Sequence, residues 1–122
     1  MPRRLHVVVT QERFEELAAE ALDGLPDWVL EALDNVQVLV EEFPPPDQPN
    51  LLGLYHGVPL LHRGWAYSGA MPDRITLYQH TIERVARGNE ERLRRVVAHT
   101  VAHEVAHHLG ITDERLLEID AY

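Results

Sequence analysis

Residues 99–110 read HTVAHEVAHHLG, and this stretch decides how the chain is interpreted. It contains the pattern His-Glu-x-x-His, in which His103 and His107 stand four positions apart, about one turn of an α-helix. The two imidazoles therefore share a helix face at the separation that two ligands of one tetrahedral metal ion need. Glu104 follows the first histidine and can take a proton from metal-activated water. The stretch predicts a helix-borne metal site with Glu104 as the general base.

The same pattern also arises by chance on solvated helix faces, because His and Glu are both tolerated there. The neighbouring residues favour the metal site, since the rest of the predicted helix is largely apolar. Its apolar residues are Val96, Val97, Val101, Val105 and Leu109. Histidine and glutamate buried in such a helix without partners would be costly. We therefore favour the metal-site interpretation over a decorated surface helix.

A site with two histidines needs a third protein ligand, and Asp113 follows His107 by six positions. Gly110 lies between them, and glycine readily adopts the left-handed conformation that ends a helix and turns the chain back. The chain has no cysteine, so any metal must be held by His, Asp or Glu. We predict zinc held by His103, His107 and Asp113. The alternative is that Asp113 follows a Thr112 cap and only stabilises the positive end of a last helix.

Several further residues have a structural interpretation that competes with a functional one. His99 lies one turn before His103 and could be a rival ligand, although a packed or solvent-edge histidine is the commoner case. His108 lies off the ligand face and is predicted to be structural. The Tyr78 hydroxyl could stabilise an oxyanion, and the alternative is a plain tyrosine on an edge strand. Solvated positions are expected for three histidines in or beside loops: His56, His62 and His80.

Helical spacing of apolar residues predicts a first amphipathic helix over residues 10–22, ended by Gly24, and a short helix over residues 26–33. A β-branched run predicts a strand at 36–40. Residues 51–55 and 58–61 flank His56-Gly57 as in a hairpin.

Residues 64–73 mix Gly, Ser and Pro and predict a surface loop. Residues 74–78 alternate as a half-buried strand would. Asn89 is expected to cap a long helix over about residues 90–109. A short last helix should follow Thr112.

Length and charge limit the function further. The 122 residues have room for one domain, so we expect a single domain over 1–122. The formal net charge of -9 disfavours a nucleic-acid partner, whose binding rests on clustered basic residues. The N-terminus lacks the apolar run of a secretory signal, and no stretch approaches the roughly 20 apolar residues that span a bilayer. A cytoplasmic protein with no membrane partner is predicted.

Several stretches together resemble one known family: the strand beginning at Val36, residues 52–55 (LGLY), residues 57–60 (GVPL), residues 75–78 (ITLY) and residues 103–116 (HEVAHHLGITDERL). The family is the small bacterial zincin-like metallopeptidases, Zn-dependent proteases with a matrix-metalloprotease-like domain. The resemblance implies an α+β, zincin-like fold, in which a small mixed sheet packs on N-terminal helices and on the long helix that carries the motif. It also implies an edge strand lining the cleft.

The resemblance implies a zinc-dependent metallopeptidase that hydrolyses a peptide or protein substrate, with His103 and His107 as ligands, Glu104 as base and Asp113 as third ligand. The chain departs from the better-studied metzincins, which place a histidine at the Asp113 position and a later methionine turn beneath the metal; no methionine follows Met71 here. Two alternatives therefore stay open. One is a non-catalytic zinc-binding or interaction domain, and the other is a degenerate member that binds no metal.

Overall fold

The structure is a computed structural model that describes residues 9–33, 36–57, 73–87 and 89–110. The described elements are, in chain order, α1 (Gln11–Asp23), α2 (Asp27–Ala32), β1 (Val36–Glu41), β2 (Gly53–His56), β3 (Asp73–Tyr78), α3 (Gln79–Ala86) and α4 (Glu90–His108). This α+β arrangement confirms the predicted fold class. The strand predicted at 58–61, most of the loop predicted at 64–73 and the helix predicted after Thr112 lie outside the described residues.

The first helix begins and ends where its sequence predicts. The Thr10 hydroxyl accepts a hydrogen bond from the Arg13 N–H at 3.0 Å, which satisfies one donor of the first turn. At the other end the Gly24 N–H donates to the Glu20 carbonyl at 2.9 Å. The face between these ends buries Phe14 and Leu17 against the core. Capping and amphipathic spacing together therefore fix α1.

The sheet has the order β1-β3-β2 within the described part of the chain. β3 pairs in parallel with β1 and antiparallel with β2, so the sheet is mixed. The prediction that β3 is half-buried was wrong, because Ile75, Thr76, Leu77 and Tyr78 are all buried. A strand with a neighbour on each side and helices packed against it has no solvated face. The sequence had suggested that Tyr78 lies on an edge strand. That prediction was wrong, because β3 lies between β1 and β2.

β3 runs directly into α3, an element that the sequence analysis did not predict. Gln79 follows Tyr78 without a loop, and the eight-residue helix buries Ile82 and Ala86. Glu83 is also buried, and its Oε2 accepts hydrogen bonds from the Val9 N–H at 3.1 Å and from Gln79 Nε2 at 3.0 Å. This carboxylate joins α3 to the chain that leads into α1. Eight residues carry too short an apolar pattern to stand out between a strand and a long helix.

The long helix α4 forms the centre of the core. Asn89 caps it by accepting a hydrogen bond from the Arg92 N–H at 2.8 Å, as predicted. Its apolar stripe of Leu93, Val97, Val101 and Val105 is at most 1% exposed and packs against α1 and the sheet. Among the helices that the structure describes, none combines the length and the apolar character needed to cross a membrane.

Candidate metal site

The two motif histidines lie side by side near the C-terminal end of α4. The ring centroids of His103 and His107 are 4.1 Å apart, with the ring planes inclined at 60°. Two nitrogens bound to one tetrahedral zinc ion lie about 3.3 Å apart, given Zn–N bonds of about 2.0–2.1 Å. The two rings are neighbours on one face of α4, which the sharing of one ion requires. His103 is half-buried and His107 is exposed, so the pair is open to solvent on one side.

The third predicted ligand, Asp113, lies outside the described residues, so its position relative to the histidines stays a prediction. Gly110 does take the left-handed conformation predicted for it, with φ +78. This conformation ends α4, which the prediction for Asp113 requires. Over the described ranges no three His, Asp or Glu side chains are grouped to hold a metal ion. The described residues therefore supply two of the predicted ligands.

Glu104 is fixed by a contact with the sheet. Its Oε1 accepts a hydrogen bond from the backbone N–H of Tyr55, in β2, at 3.1 Å. The register of β2 on β3 explains why this N–H is available. The Leu52 carbonyl accepts a hydrogen bond from the Tyr78 N–H at 2.9 Å, so Leu52 directs its backbone groups toward β3, as do Leu54 and His56 at every second position. Alternate residues of an antiparallel strand point their backbone groups away from the partner. The backbone N–H of Tyr55 therefore points away from β3. The Glu104 carboxylate reaches it from α4.

A buried carboxylate ties β2 and β3 to the last turn of α4. Asp73 is 4% exposed, and its Oδ2 accepts a hydrogen bond from the Tyr55 hydroxyl at 2.8 Å. The same oxygen lies 3.7 Å from Nε2 of His108. The Tyr55 and His108 rings stack, with centroids 4.0 Å apart and an angle of 14° between their planes. These contacts agree with the prediction that His108 is structural.

The phenol of Tyr78 stays protonated well beyond neutral pH. Burial raises its pKa above the ordinary value, because the phenolate loses its solvation, and the negative charges of Glu41 and Glu104 raise the pKa further. Tyr78 is 4% exposed and ends β3. A neutral phenol can donate a hydrogen bond, so the chemistry suits the suggested oxyanion role, which stays a prediction.

The remaining histidines fall into different settings. His99 is exposed, and its ring stacks near that of His103 with centroids 5.7 Å apart. His80 is exposed, as predicted, and its ring lies against Phe43 at 4.9 Å. His56 is half-buried in β2, where strand pairing holds it in the sheet, so the predicted solvated surface position is only partly right. His62 lies outside the described residues.

Sequence reasoning missed Tyr55 and Asp73 as residues of the site. In the sequence, Tyr55 was assigned only to a strand, and Asp73 only to the end of a surface loop. Tyr55 lies 49 positions from Glu104 along the chain, and no short-range pattern reveals a contact at that distance. A polar residue immediately before an apolar strand was the one available signal for Asp73.

Comparison with known proteins agrees with the fold. Residues 33–122 match the family described as zincin-like metallopeptidase. Among solved structures, a conserved hypothetical protein from Thermo thermophilus is similar, with 30% sequence identity, a TM-score of 0.57, and coverage of 83% of this chain and 94% of that one. No curated protein matches the sequence. The match over most of the chain, together with the α+β fold and the helix that carries His103, Glu104 and His107, shows that the chain belongs to the zincin-like metallopeptidase family.

Proposed function

We propose that this protein is a zinc-dependent peptidase in which His103, His107 and Asp113 hold the metal and Glu104 is the general base. The observation that carries the proposal is the pairing of His103 with His107, 4.1 Å apart between ring centroids, beside a carboxylate that the sheet holds in place. Imidazole and carboxylate ligands suit zinc, and the chain offers no thiolate that would favour a closed structural site. Membership of the family supports the same assignment.

Bound zinc would polarise the peptide carbonyl and lower the pKa of the attacking water toward about 7. Tyr55 orients the carboxylate of Glu104, and Glu104 transfers the proton of the attacking water. The Tyr55 N–H holds Oε1 of Glu104, which leaves Oε2 as the oxygen that accepts a proton from the attacking water. Glu104 then delivers that proton to the departing amine nitrogen. A carboxylate that is already aligned need not be ordered during the reaction, which favours catalysis.

The proposed substrate is an extended peptide, and among the described residues no strand pairs with the side of β2 that faces away from β3. Gly53 and Tyr55 direct backbone groups away from β3, and a peptide can add to such an edge through main-chain hydrogen bonds. Because Glu104 is hydrogen-bonded to the Tyr55 N–H, a peptide bond that Glu104 acts on would lie next to Tyr55. The arrangement brings the peptide backbone and the general base to the same end of β2.

The proposal is tested by peptide cleavage with zinc-loaded protein. Wild-type protein should cleave members of a broad peptide library, and Glu104→Gln should lose roughly 100-fold or more in kcat while keeping its zinc. Glu91→Gln is the matched control, because Glu91 is an exposed carboxylate in the first turn of the same helix. Zinc-loaded wild-type protein that cleaves no peptide would remove the enzymatic part of the proposal.

A second candidate is a non-catalytic domain in which zinc pins the end of α4 to the chain that follows it. The hydrogen bond from the Tyr55 N–H to Glu104 favours this candidate, because it gives the carboxylate a structural role that needs no reaction. The candidate predicts that chelation lowers the melting temperature by many degrees while no hydrolysis is detected at any stage. Glu104→Gln would then change stability and nothing else.

A further inference from the structure

The residue that follows each motif histidine contacts the same residue of the sheet. Glu104 follows His103, and its Oε1 accepts a hydrogen bond from the Tyr55 N–H at 3.1 Å. His108 follows His107, and its ring stacks on that of Tyr55 with centroids 4.0 Å apart. Because Glu104 and His108 are four positions apart, they lie one turn apart along one stripe of α4. Tyr55 therefore contacts two successive turns of the helix that carries the motif.

These two contacts fix the rotation of α4 about its own axis. Consecutive residues of a helix are about 100° apart around the axis, so the stripe that contacts Tyr55 lies next to the stripe that carries the motif histidines. Rotation of α4 would break both contacts with Tyr55. The position of Tyr55 therefore sets the direction in which His103 and His107 project.

Asp73 holds Tyr55 and the end of α4 together from the neighbouring strand. It is the first residue of β3 and is 4% exposed. Its Oδ2 accepts a hydrogen bond from the Tyr55 hydroxyl at 2.8 Å and lies 3.7 Å from Nε2 of His108. Burying a carboxylate is costly unless polar partners compensate for the lost water, so these contacts hold it in one place. One oxygen of Asp73 thus connects the strand residue with the helix residue.

The chain that follows β2 confines the same side chains. A Cβ at Gly57 would meet the Asp73 Cγ at 2.8 Å, the Asp73 Oδ1 at 2.9 Å and the Tyr55 Cε1 at 2.9 Å. Carbon atoms in ordinary contact lie about 3.5–4.0 Å apart, so only a glycine leaves both side chains where they are. Gly57→Ala would therefore displace Asp73 or Tyr55 without removing any hydrogen-bonding group.

We propose that Asp73 is a positioning residue of the site, which acts through Tyr55 and His108 to fix the rotation of α4. The inference rests on the proposed function only for its consequences for zinc and catalysis. Loss of Asp73 should change three properties together: the hydrogen bond from the Tyr55 N–H to Glu104, the affinity for zinc, and kcat. A residue that only stabilises the fold would leave all three unchanged in the folded protein.

Hydrogen exchange of the Tyr55 backbone amide, followed by NMR in the full-length protein, tests the positioning without metal or substrate. Ile82→Ala, in the buried face of α3, is the matched control because it should lose a similar amount of stability. The Val101 amide, in the core of α4, reports that loss and should speed up similarly in both variants. The Tyr55 amide should exchange at least about tenfold faster in Asp73→Ala than in Ile82→Ala, because its local opening becomes easier.

A conservative variant separates the hydrogen bond from the charge. Asp73→Asn keeps an oxygen that can accept from the Tyr55 hydroxyl, and it should give a Tyr55 exchange rate between those of the wild type and Asp73→Ala. If Asp73→Ala does not fold, Asp73→Asn is compared with Ile82→Ala in its place.

Zinc affinity is measured by competition with a chelating dye, and kcat and KM with a peptide that the wild type cleaves. Asp73→Ala should weaken zinc binding about tenfold and lower kcat about tenfold with KM little changed, because the ligands and the general base are misaligned. Gly57→Ala should shift both values in the same direction by crowding Asp73 and Tyr55. Ile82→Ala should keep the wild-type values.

The outcomes separate this inference from the proposed function. If Asp73→Ala matches Ile82→Ala in Tyr55 exchange, zinc affinity and kcat, Asp73 is only structural and the inference is overturned, whether or not the protein is a peptidase. If Tyr55 exchange and zinc affinity respond while the wild type cleaves no peptide, the positioning role stands and the peptidase fails. If the wild type binds no zinc, the proposed function fails and Tyr55 exchange alone decides the role of Asp73.

Discussion

Oε1 of Glu104 accepts a hydrogen bond from the backbone N–H of Tyr55 at 3.1 Å, so the carboxylate of the motif helix is held by the outer edge of β2. The distance between α4 and β2 therefore sets the position of the proposed general base. Any substitution that moves β2 should also move Glu104. This relationship makes the packing of the sheet on α4 testable through both stability and activity.

Gly53 controls how closely β2 approaches α4. A Cβ at this position would meet the Thr100 Cγ2 at 2.9 Å, the Leu77 Cδ2 at 3.1 Å and the Thr76 carbonyl oxygen at 3.1 Å. We expect Gly53→Ala to lower the free energy of unfolding by about 1–3 kcal/mol, because overpacking forces the strand outward. Urea denaturation measures the change. Gly24→Ala is the matched control, since its nearest contact is 3.3 Å and its effect should be smaller.

The same contact predicts a rescue. Thr100→Ser removes the methyl group that a Cβ at Gly53 would meet, so the double variant should recover part of the stability that Gly53→Ala loses. The recovery should be incomplete, because the Thr76 carbonyl oxygen remains at 3.1 Å. Strictly additive effects of the two substitutions would show that Thr100 is not the obstacle.

Asp73 is predicted to contribute more to stability than its short side chain suggests. Asp73→Ala should lower the free energy of unfolding by about 2–4 kcal/mol, because it removes the acceptor of the Tyr55 hydroxyl and the buried charge beside His108. Tyr55→Phe removes one hydrogen bond to a charged acceptor and should cost less, about 1–2 kcal/mol. Chemical denaturation compares the two variants. Equal stability of Asp73→Ala and the wild type would mean that these contacts are incidental.

The elements that sequence predicts well are those defined by local signals. Thr10 and Asn89 cap their helices as expected, and Gly110 has the left-handed conformation that its place after α4 requires. The contacts between Tyr55 and Glu104 and between Asp73 and His108 were not predicted, because each joins a strand to α4 through the packing of the sheet on that helix, between residues far apart in sequence. Burial of Tyr78 was missed for the same reason. A strand's place within a sheet depends on its neighbours, which its own alternation does not reveal.

The pKa of Tyr78 predicts a loss of stability at high pH. A tyrosine whose pKa is higher in the native state than in the unfolded chain binds its proton more tightly when folded. Its contribution is fully present below about pH 10 and is lost as the pH rises from there through the native pKa. Urea unfolding across this range should show a steeper decline for the wild type than for Tyr78→Phe. Parallel declines would contradict the assigned burial effect.

Helix α3 offers a test of the core within one element. Ile82 is 0% exposed and Val85 is 52% exposed on the same helix. Ile82→Ala should destabilise the protein by about 2–5 kcal/mol, because it removes buried methylene groups and leaves a cavity. Val85→Ala should change the free energy of unfolding by less than about 0.5 kcal/mol. Comparable losses for both variants in thermal or urea unfolding would contradict the assignment of Ile82 to the buried face of α3 and Val85 to its exposed face.

The central claim is that His103 and His107 bind one zinc ion together with Asp113, and zinc-edge X-ray absorption tests it most directly. Protein purified without a nickel column should hold about one zinc per chain, with two imidazole nitrogens and a carboxylate oxygen among its ligands. His107→Ala should lose the metal, and His80→Ala, at an exposed position on α3, should keep it. Zinc-treated wild-type protein that retains no metal, or a His107→Ala variant that retains as much as the wild type, would contradict the account.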